Sequence, residues 1–263
     1  MVALLSELSS LDTLELEFES HQSFRGWESR SLPPRNPSIL PALNKFHFKG
    51  VTEYLEDLVT FIDAPQLKTL KINFFCQINF DTPRLAQFIN STPKLGKRDA
   101  HVQFHDIFVR VELPAGPGTL EISIPYTRRE PDRQLSYIKQ VCNSSLHPLS
   151  TVENLYIVHH YGRRAWKYVT IENTLWLGLL LPFTAVKNLY LCKEFAPGIA
   201  AALQELVEGR ITGVLPSLQN VFVEGLEPSG LFQEKIGQFV AARQPSDPIV
   251  ISVWHKDTNT NPM

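Results

Sequence analysis

The chain has 263 residues, 43% of them hydrophobic and 20% charged, with 25 Lys and Arg against 27 Asp and Glu. That apolar fraction and balanced charge exclude a disordered chain, and a net charge of −2 excludes a dominant nucleic-acid or membrane-surface footprint. At ~150 residues per domain, the length allows one or two domains with a real core.

The N-terminus reaches Glu7 without a basic stretch, so no signal peptide is expected. From Leu11 onward one short pattern returns: an apolar residue, two polar ones, then apolar-x-apolar. It occurs as Leu11-Asp12-Thr13-Leu14-Glu15-Leu16 and as Leu43-Asn44-Lys45-Phe46-His47-Phe48, separated by the proline-rich loop Ser31 to Pro37. A helix is expected over Glu53 to Ile62, where Tyr54, Leu55, Leu58, Val59 and Ile62 form one stripe. The third copy is Leu67-Lys68-Thr69-Leu70-Lys71-Ile72, followed by a short helix over Pro83 to Ile89.

The next clear copies are Val152-Glu153-Asn154-Leu155-Tyr156-Ile157, Val186-Lys187-Asn188-Leu189-Tyr190-Leu191 and Leu218-Gln219-Asn220-Val221-Phe222-Val223. Their first strand residues, with those of the earlier copies, fall at 14, 46, 70, 155, 189 and 221. The gap of 85 residues has room for two hidden copies, at Leu95 to Phe104 and at Thr119 to Ile124. Within it, Ile107 to Leu113 alternates like a strand and the turn Pro114-Ala115-Gly116-Pro117-Gly118 follows, so a β-hairpin with Leu120 to Ile124 is expected. Further helices are expected over Gln134 to Leu146, Glu172 to Leu181, Ile199 to Val207 and Leu231 to Ala241. A last strand is expected over Pro248 to Val253.

Strands alternating with helices at a period of about 30 residues predict parallel strands in stacked units. The expected fold is α/β: a leucine-rich-repeat-like solenoid, or horseshoe, with a parallel sheet on the concave face and helices on the convex face. It forms a single domain over residues 1–254, with the β-hairpin inserted at about 107–124 and a polar tail at 255–263. The first copy starts almost at Met1 without a polar capping unit, so either the chain is a fragment of a longer one, the favoured expectation, or Met1 to Leu8 forms a makeshift cap.

Little in the sequence points to chemistry. There is no GxxxxGK[ST], no GxGxxG opening a helix and no GxSxG elbow. Cys76, Cys142 and Cys192 are scattered without a CxxC and read as reduced, packed thiols. His159 and His160 are adjacent on a strand and point to opposite faces, which argues against a shared metal. Asp81 with Arg84, and Glu130 with Asp132, read as solvated loop residues. No catalytic residue, cofactor or metal is expected, and the protein is read as a non-enzyme.

Strand alternation locates a binding surface instead. The concave positions are Glu15, Glu17, Lys45, His47, Lys49, Lys71 and Asn73, then Tyr156, Val158, His160, Tyr190, Cys192, Phe222 and Glu224. Charge dominates the first half and aromatic or apolar character the second. The loop Tyr161 to Tyr168 adds Arg163, Arg164 and Trp166, residue types that interfaces favour. The expected partner-binding set is therefore Tyr156, Val158, His160, Tyr190, Cys192, Phe222, Arg163, Arg164 and Trp166. The alternative is that the chain's own loops cover this patch. The partner is expected to be a protein, with no nucleic acid and no membrane, in the cytoplasm or nucleus.

Several segments resemble the F-box-domain proteins of mushroom-forming, basidiomycete fungi. They are Gln140 to Leu146 with Leu149 to Ile157, Ile171 to Trp176, Pro182 to Leu191, Ala200 to Val207 and Ile236 to Gln244. The likeness spans roughly Leu40 to Trp254, the repeat region. It implies the substrate-recognition part of an F-box-type ubiquitin ligase receptor. The F-box itself, an LPxE-type module that docks on the Skp1 adaptor, is not in this sequence, so the resemblance implies that contact only if an F-box lies upstream of Met1. The family offers no site motif to carry over. The remaining alternatives are a truncated structural remnant without a partner, and a hydrolase or transferase with its site in loops.

Overall fold

The computed structural model describes residues 9–18, 37–75, 80–95, 98–116, 118–126, 130–160, 171–209, 213–225, 236–239 and 249–254. Every clear copy of the repeat is a strand: β1 (Thr13–Glu17), β3 (Lys45–Gly50), β5 (Thr69–Phe74), β9 (Asn154–His160), β10 (Asn188–Leu191) and β11 (Asn220–Glu224). A recurring turn fixes where they start. Leu43, Leu67, Val152 and Leu218 donate their amides to the carbonyls of Leu40, Ala64, Leu149 and Leu215 at 3.1 to 3.2 Å. Pro41, Pro65 and Pro216 take the second turn position, which their fixed φ suits. Both apolar ends of each turn are buried, so the chain is anchored before it enters the sheet. Two successive amides then meet one carbonyl of the preceding unit: Lys68 and Thr69 on Asn44, Lys187 and Asn188 on Glu153, Gln219 and Asn220 on Lys187.

Register follows from that shared geometry. Leu14, Phe46, Leu70 and Leu120 lie side by side, as do Ala100, Leu155, Leu189, Val221 and Ile251. A slip of one residue would turn each apolar set onto the other face, so burial locks the pairing.

The hidden copies are also strands, β6 (Asp99–His105) and β8 (Gly118–Pro125), joined through β7 (Phe108–Ala115). The hairpin between β7 and β8 forms as expected, and β6 also pairs antiparallel with β7. The last strand is β12 (Val250–Trp254). Among the described residues the sheet has ten strands in the order β1-β3-β5-β8-β7-β6-β9-β10-β11-β12 and is not closed. It is parallel except at β7. Spatial order departs from chain order in the middle: β8, the later copy, lies beside β5, and β6 lies beside β9. A separate pair of short strands, β2 (Ser38–Ile39) and β4 (Ile62–Asp63), was not expected. Ile62, assigned to a helix by its spacing, belongs to β4 instead.

Among the described residues, five helices cross between strands: α1 (Thr52–Val59), α2 (Pro83–Ser91), α3 (Pro131–Ser144), α4 (Asn173–Leu180) and α5 (Ala196–Gly209). Residues 236–239 are also helical, whereas the rest of the helix expected over Leu231 to Ala241 lies outside the described residues. Pro83 and Pro131 open their helices, where a missing N–H costs nothing. The Glu56 carboxylate on α1 accepts the Arg84 and Leu85 amides at 3.0 and 2.7 Å and so caps its neighbour α2. Trp176 of α4 is buried between Phe104 and Phe195, with Gly198 leaving room for its indole edge. Helices and inward strand residues share one apolar cluster from Leu40 to Ile249. The strands alternate buried and half-exposed residues, leaving the other face of the sheet open. No described helix is long and apolar enough to cross a membrane. The tail at 255–263 lies outside the described residues.

Candidate functional site

The open face is organised in rows that run across the strands, because in-register parallel pairing places equivalent residues side by side. The row through the middle of each strand is Glu15, His47, Lys71, Glu121, Glu112, His101, Tyr156, Tyr190, Phe222 and Ser252. Its first half is polar and charged. Glu15 meets His47 Nδ1 at 3.1 Å, and Lys71 lies 3.8 Å from Glu121. In the next row Lys49 pairs with Glu17. Arg110 of β7 ties the centre together: Nη1 donates to Glu121 at 3.1 Å, and Nε and Nη2 donate to Gln103 at 3.2 and 2.7 Å.

The second half is a column of rings. His101 stacks on Tyr156 at 4.5 Å, Tyr156 on Tyr190 at 4.3 Å and Tyr190 on Phe222 at 4.5 Å, all within 20° of parallel. Strand separation of ~4.8 Å imposes this spacing on any row of aromatic residues. Trp254 of β12 folds back over the column, 5.7 Å from Tyr190 and 6.1 Å from Tyr156. The last described strand therefore covers part of the patch, while Tyr156, Tyr190 and Phe222 stay half-exposed. Burial pushes the Tyr156 hydroxyl up to about 12, with Tyr190 adding to the shift. The same desolvation holds His101 below its ordinary value, so its ring is neutral at neutral pH.

A second ladder lies just before the column. Asn220 donates to Asn188, Asn188 to Asn154 and Asn154 to Asp99, each at 2.7 Å. Asn188 and Asn154 each spend an N–H on one neighbour and the carbonyl on the other, so the three side chains form a continuous chain. It fixes the strand spacing on which the rings stack.

Of the expected binding set, Tyr156, Tyr190 and Phe222 come together on the open face. His160 stacks on His105 at 4.9 Å, which in turn stacks on Phe108 at 4.0 Å. Its neighbour His159 points the other way, towards Phe195. Two residues need correction. Val158 is 4% exposed and Cys192 2%, so neither offers surface to a partner. The chain leaves the sheet at Cys192, whose carbonyl accepts the Phe195 and Ala196 amides, and its side chain joins the core. Burial pushes that thiol up to about 12. Arg163, Arg164 and Trp166 lie outside the described residues.

Sequence reasoning missed His101, Trp254, Arg110 and the asparagine ladder. Only the ladder had a readable signal, since asparagine stands directly before the strand's first apolar residue in three successive clear copies. Among the described residues no group of three or more His, Cys, Asp or Glu is placed to hold a metal ion. What the face offers is flat aromatic surface beside a field of charged residues. Comparison with protein-family models, curated proteins and solved structures finds no match to this chain.

Proposed function

We propose that the chain is a leucine-rich-repeat-like solenoid that recognises a protein partner through its open, concave face. It serves as the substrate-recognition part of an F-box-type ubiquitin ligase receptor. The observation that carries this reading is the aromatic column across β6, β9, β10 and β11. The four stacked rings stay half-exposed on the open sheet face, and interfaces concentrate such residues. The resemblance of the repeat segments to F-box proteins supplies the pathway. Recognition is the only task assigned to this face; docking on the Skp1 adaptor needs an F-box, which is no part of this sequence.

Proximity labelling in fungal cells tests the proposal, comparing the wild type with Tyr190→Ala/Phe222→Ala. The double variant, folded as judged by its thermal transition, is expected to lose a discrete set of ubiquitinated neighbours. An unchanged set would overturn the assignment of the column.

A further inference from the structure

Chain order and spatial order run together along the sheet except between β5 and β6, where β8 and β7 intervene. In open α/β sheets, ligand crevices form beyond the carboxyl ends of strands where the strand order reverses. A cavity of about 320 Å³ lies at this reversal, at the carboxyl ends of β3, β5 and β8. β5 stops at Phe74, whereas β8 runs on to Pro125, which pairs with Phe108 and makes a wall. Phe74, Phe75, Phe108 and Pro125 supply its apolar lining; Lys49, Asn73, Arg110, Ser123 and Glu121 supply its polar one.

The polar lining is unbalanced towards donors. The single carboxylate, Glu121, already accepts from Arg110 and Ser123 and faces Lys71. Arg110 uses three of its five N–H groups on Glu121 and Gln103. Lys49 spends one contact on Glu17, and the Asn73 side chain, exposed on the open face, has no hydrogen-bond partner among the described residues. Two cations and an amide therefore present unused donors over an aromatic floor. A cationic ligand would be repelled and a neutral one would answer them through single uncharged acceptors; a carboxylate brings two acceptor oxygens and the opposite charge.

We propose that this cavity receives an acidic side chain of the partner protein, its carboxylate directed at Lys49, Asn73 and Arg110. An adjacent apolar side chain of the same segment rests against Phe75, Phe108 and Pro125. The volume exceeds that of one acidic side chain, which is why the segment is acidic-apolar rather than a single acid. The inference rests on the recognition role proposed above, but the site is separate from the aromatic column.

The test is a titration of the whole chain with a blocked Glu-Phe-Glu-Phe peptide, followed by amide chemical shifts. The same peptide with Gln for Glu, and free phenylacetate, are the comparison probes. The acidic peptide is expected to shift Asn73, Arg110 and Ser123, and to bind at least about tenfold more tightly than its Gln analogue and than phenylacetate. Asn73→Asp places a carboxylate among the donors without changing side-chain size, and Lys49→Gln removes a charge at an exposed position. Each is expected to weaken the acidic peptide about tenfold with the thermal transition retained. Equal binding of the Glu and Gln peptides, no binding of either, or indifference to Asn73→Asp would overturn the proposal. Phenylacetate binding as tightly as the peptide would overturn the assignment to a protein partner. Tyr190→Ala/Phe222→Ala is expected to leave the peptide's affinity unchanged. Loss of neighbours in that variant together with no peptide binding refutes the cavity alone; the reverse pattern refutes the column alone.

Discussion

Two glycines flank Pro117 in the turn between β7 and β8, and they are required for different reasons. Gly116 has φ +56°, and a methyl group there would meet nothing within 4 Å. Gly118 has no such backbone demand, but its Cβ would fall 2.3 Å from the Lys68 carbonyl oxygen and 2.9 Å from the carbonyl carbon. Ordinary contact begins at 3.4 Å, so β8 and β5 would have to part by about 1 Å at their first rung. That rung includes the hydrogen bond from the Thr119 amide to the same Lys68 oxygen, at 3.1 Å. Losing one backbone hydrogen bond costs about 1 kcal/mol and overpacking against a fixed backbone about 1–3 kcal/mol. Gly118→Ala is therefore expected to destabilise the fold by about 2–4 kcal/mol, and Gly116→Ala by about 1–2 kcal/mol through the left-handed penalty alone. Urea unfolding followed by far-ultraviolet circular dichroism and tryptophan fluorescence measures both, with unchanged m-values as the control. If Gly118→Ala cost no more than Gly116→Ala, the close approach of the two backbones would be refuted.

Asn188→Ala removes two side-chain hydrogen bonds from the middle of the asparagine ladder, and a cost of about 1–3 kcal/mol in urea unfolding is expected. Asn220, at the ladder's end, gives up only one, so Asn220→Ala is expected to cost about half as much. His101 is held below its ordinary value by burial, so below about pH 6.5 the unfolded chain takes up a proton that the folded chain refuses. Stability is lost as pH falls through that window, despite Glu112 and Asp99 nearby favouring the charged ring over the opposing Arg110. His101→Phe, which keeps the stack, is expected to flatten the melting temperature between about pH 7 and 5. Tyr156 behaves oppositely: its hydroxyl is pushed up to about 12, so its contribution is complete below about pH 10 and disappears as pH rises through 12. Ultraviolet difference titration should show a late tyrosine ionisation that Tyr156→Phe removes.

The strands were legible because the repeat encodes both where they begin and which way they face. Leu155 and Ile157, or Leu189 and Leu191, mark the inward positions, and the residue between them then faces outward by necessity. The rows of the open face follow from that alone once the register is uniform. Four features were out of reach. β6 and β8 carry the same alternation, so nothing local says which neighbours β5. Val158 and Cys192 alternate correctly along the chain, but Cys192 stands where the backbone turns off the sheet. His101 sits beside Ala100, too small to announce a copy of the repeat. Arg110 belongs to a strand with no repeat signature, and its role depends on Glu121 and Gln103 arriving from either side.

The strand reversal also sets the order in which the sheet can be completed during synthesis. β5 emerges with one edge unpaired, and the strand that covers it, β8, ends about fifty residues later at Pro125. Until then the first three strands of the sheet form an open-edged fragment, a surface prone to mispairing with other chains. β6 meanwhile must wait in the opposite direction, since its parallel neighbour β9 begins only at Asn154. The meander β6-β7-β8 can fold first as a local antiparallel unit, with short loops and low contact order, and offer a ready edge to each side. A chain stalled before Pro125 would thus expose the edge of β5, and one stalled after it would already have that edge closed.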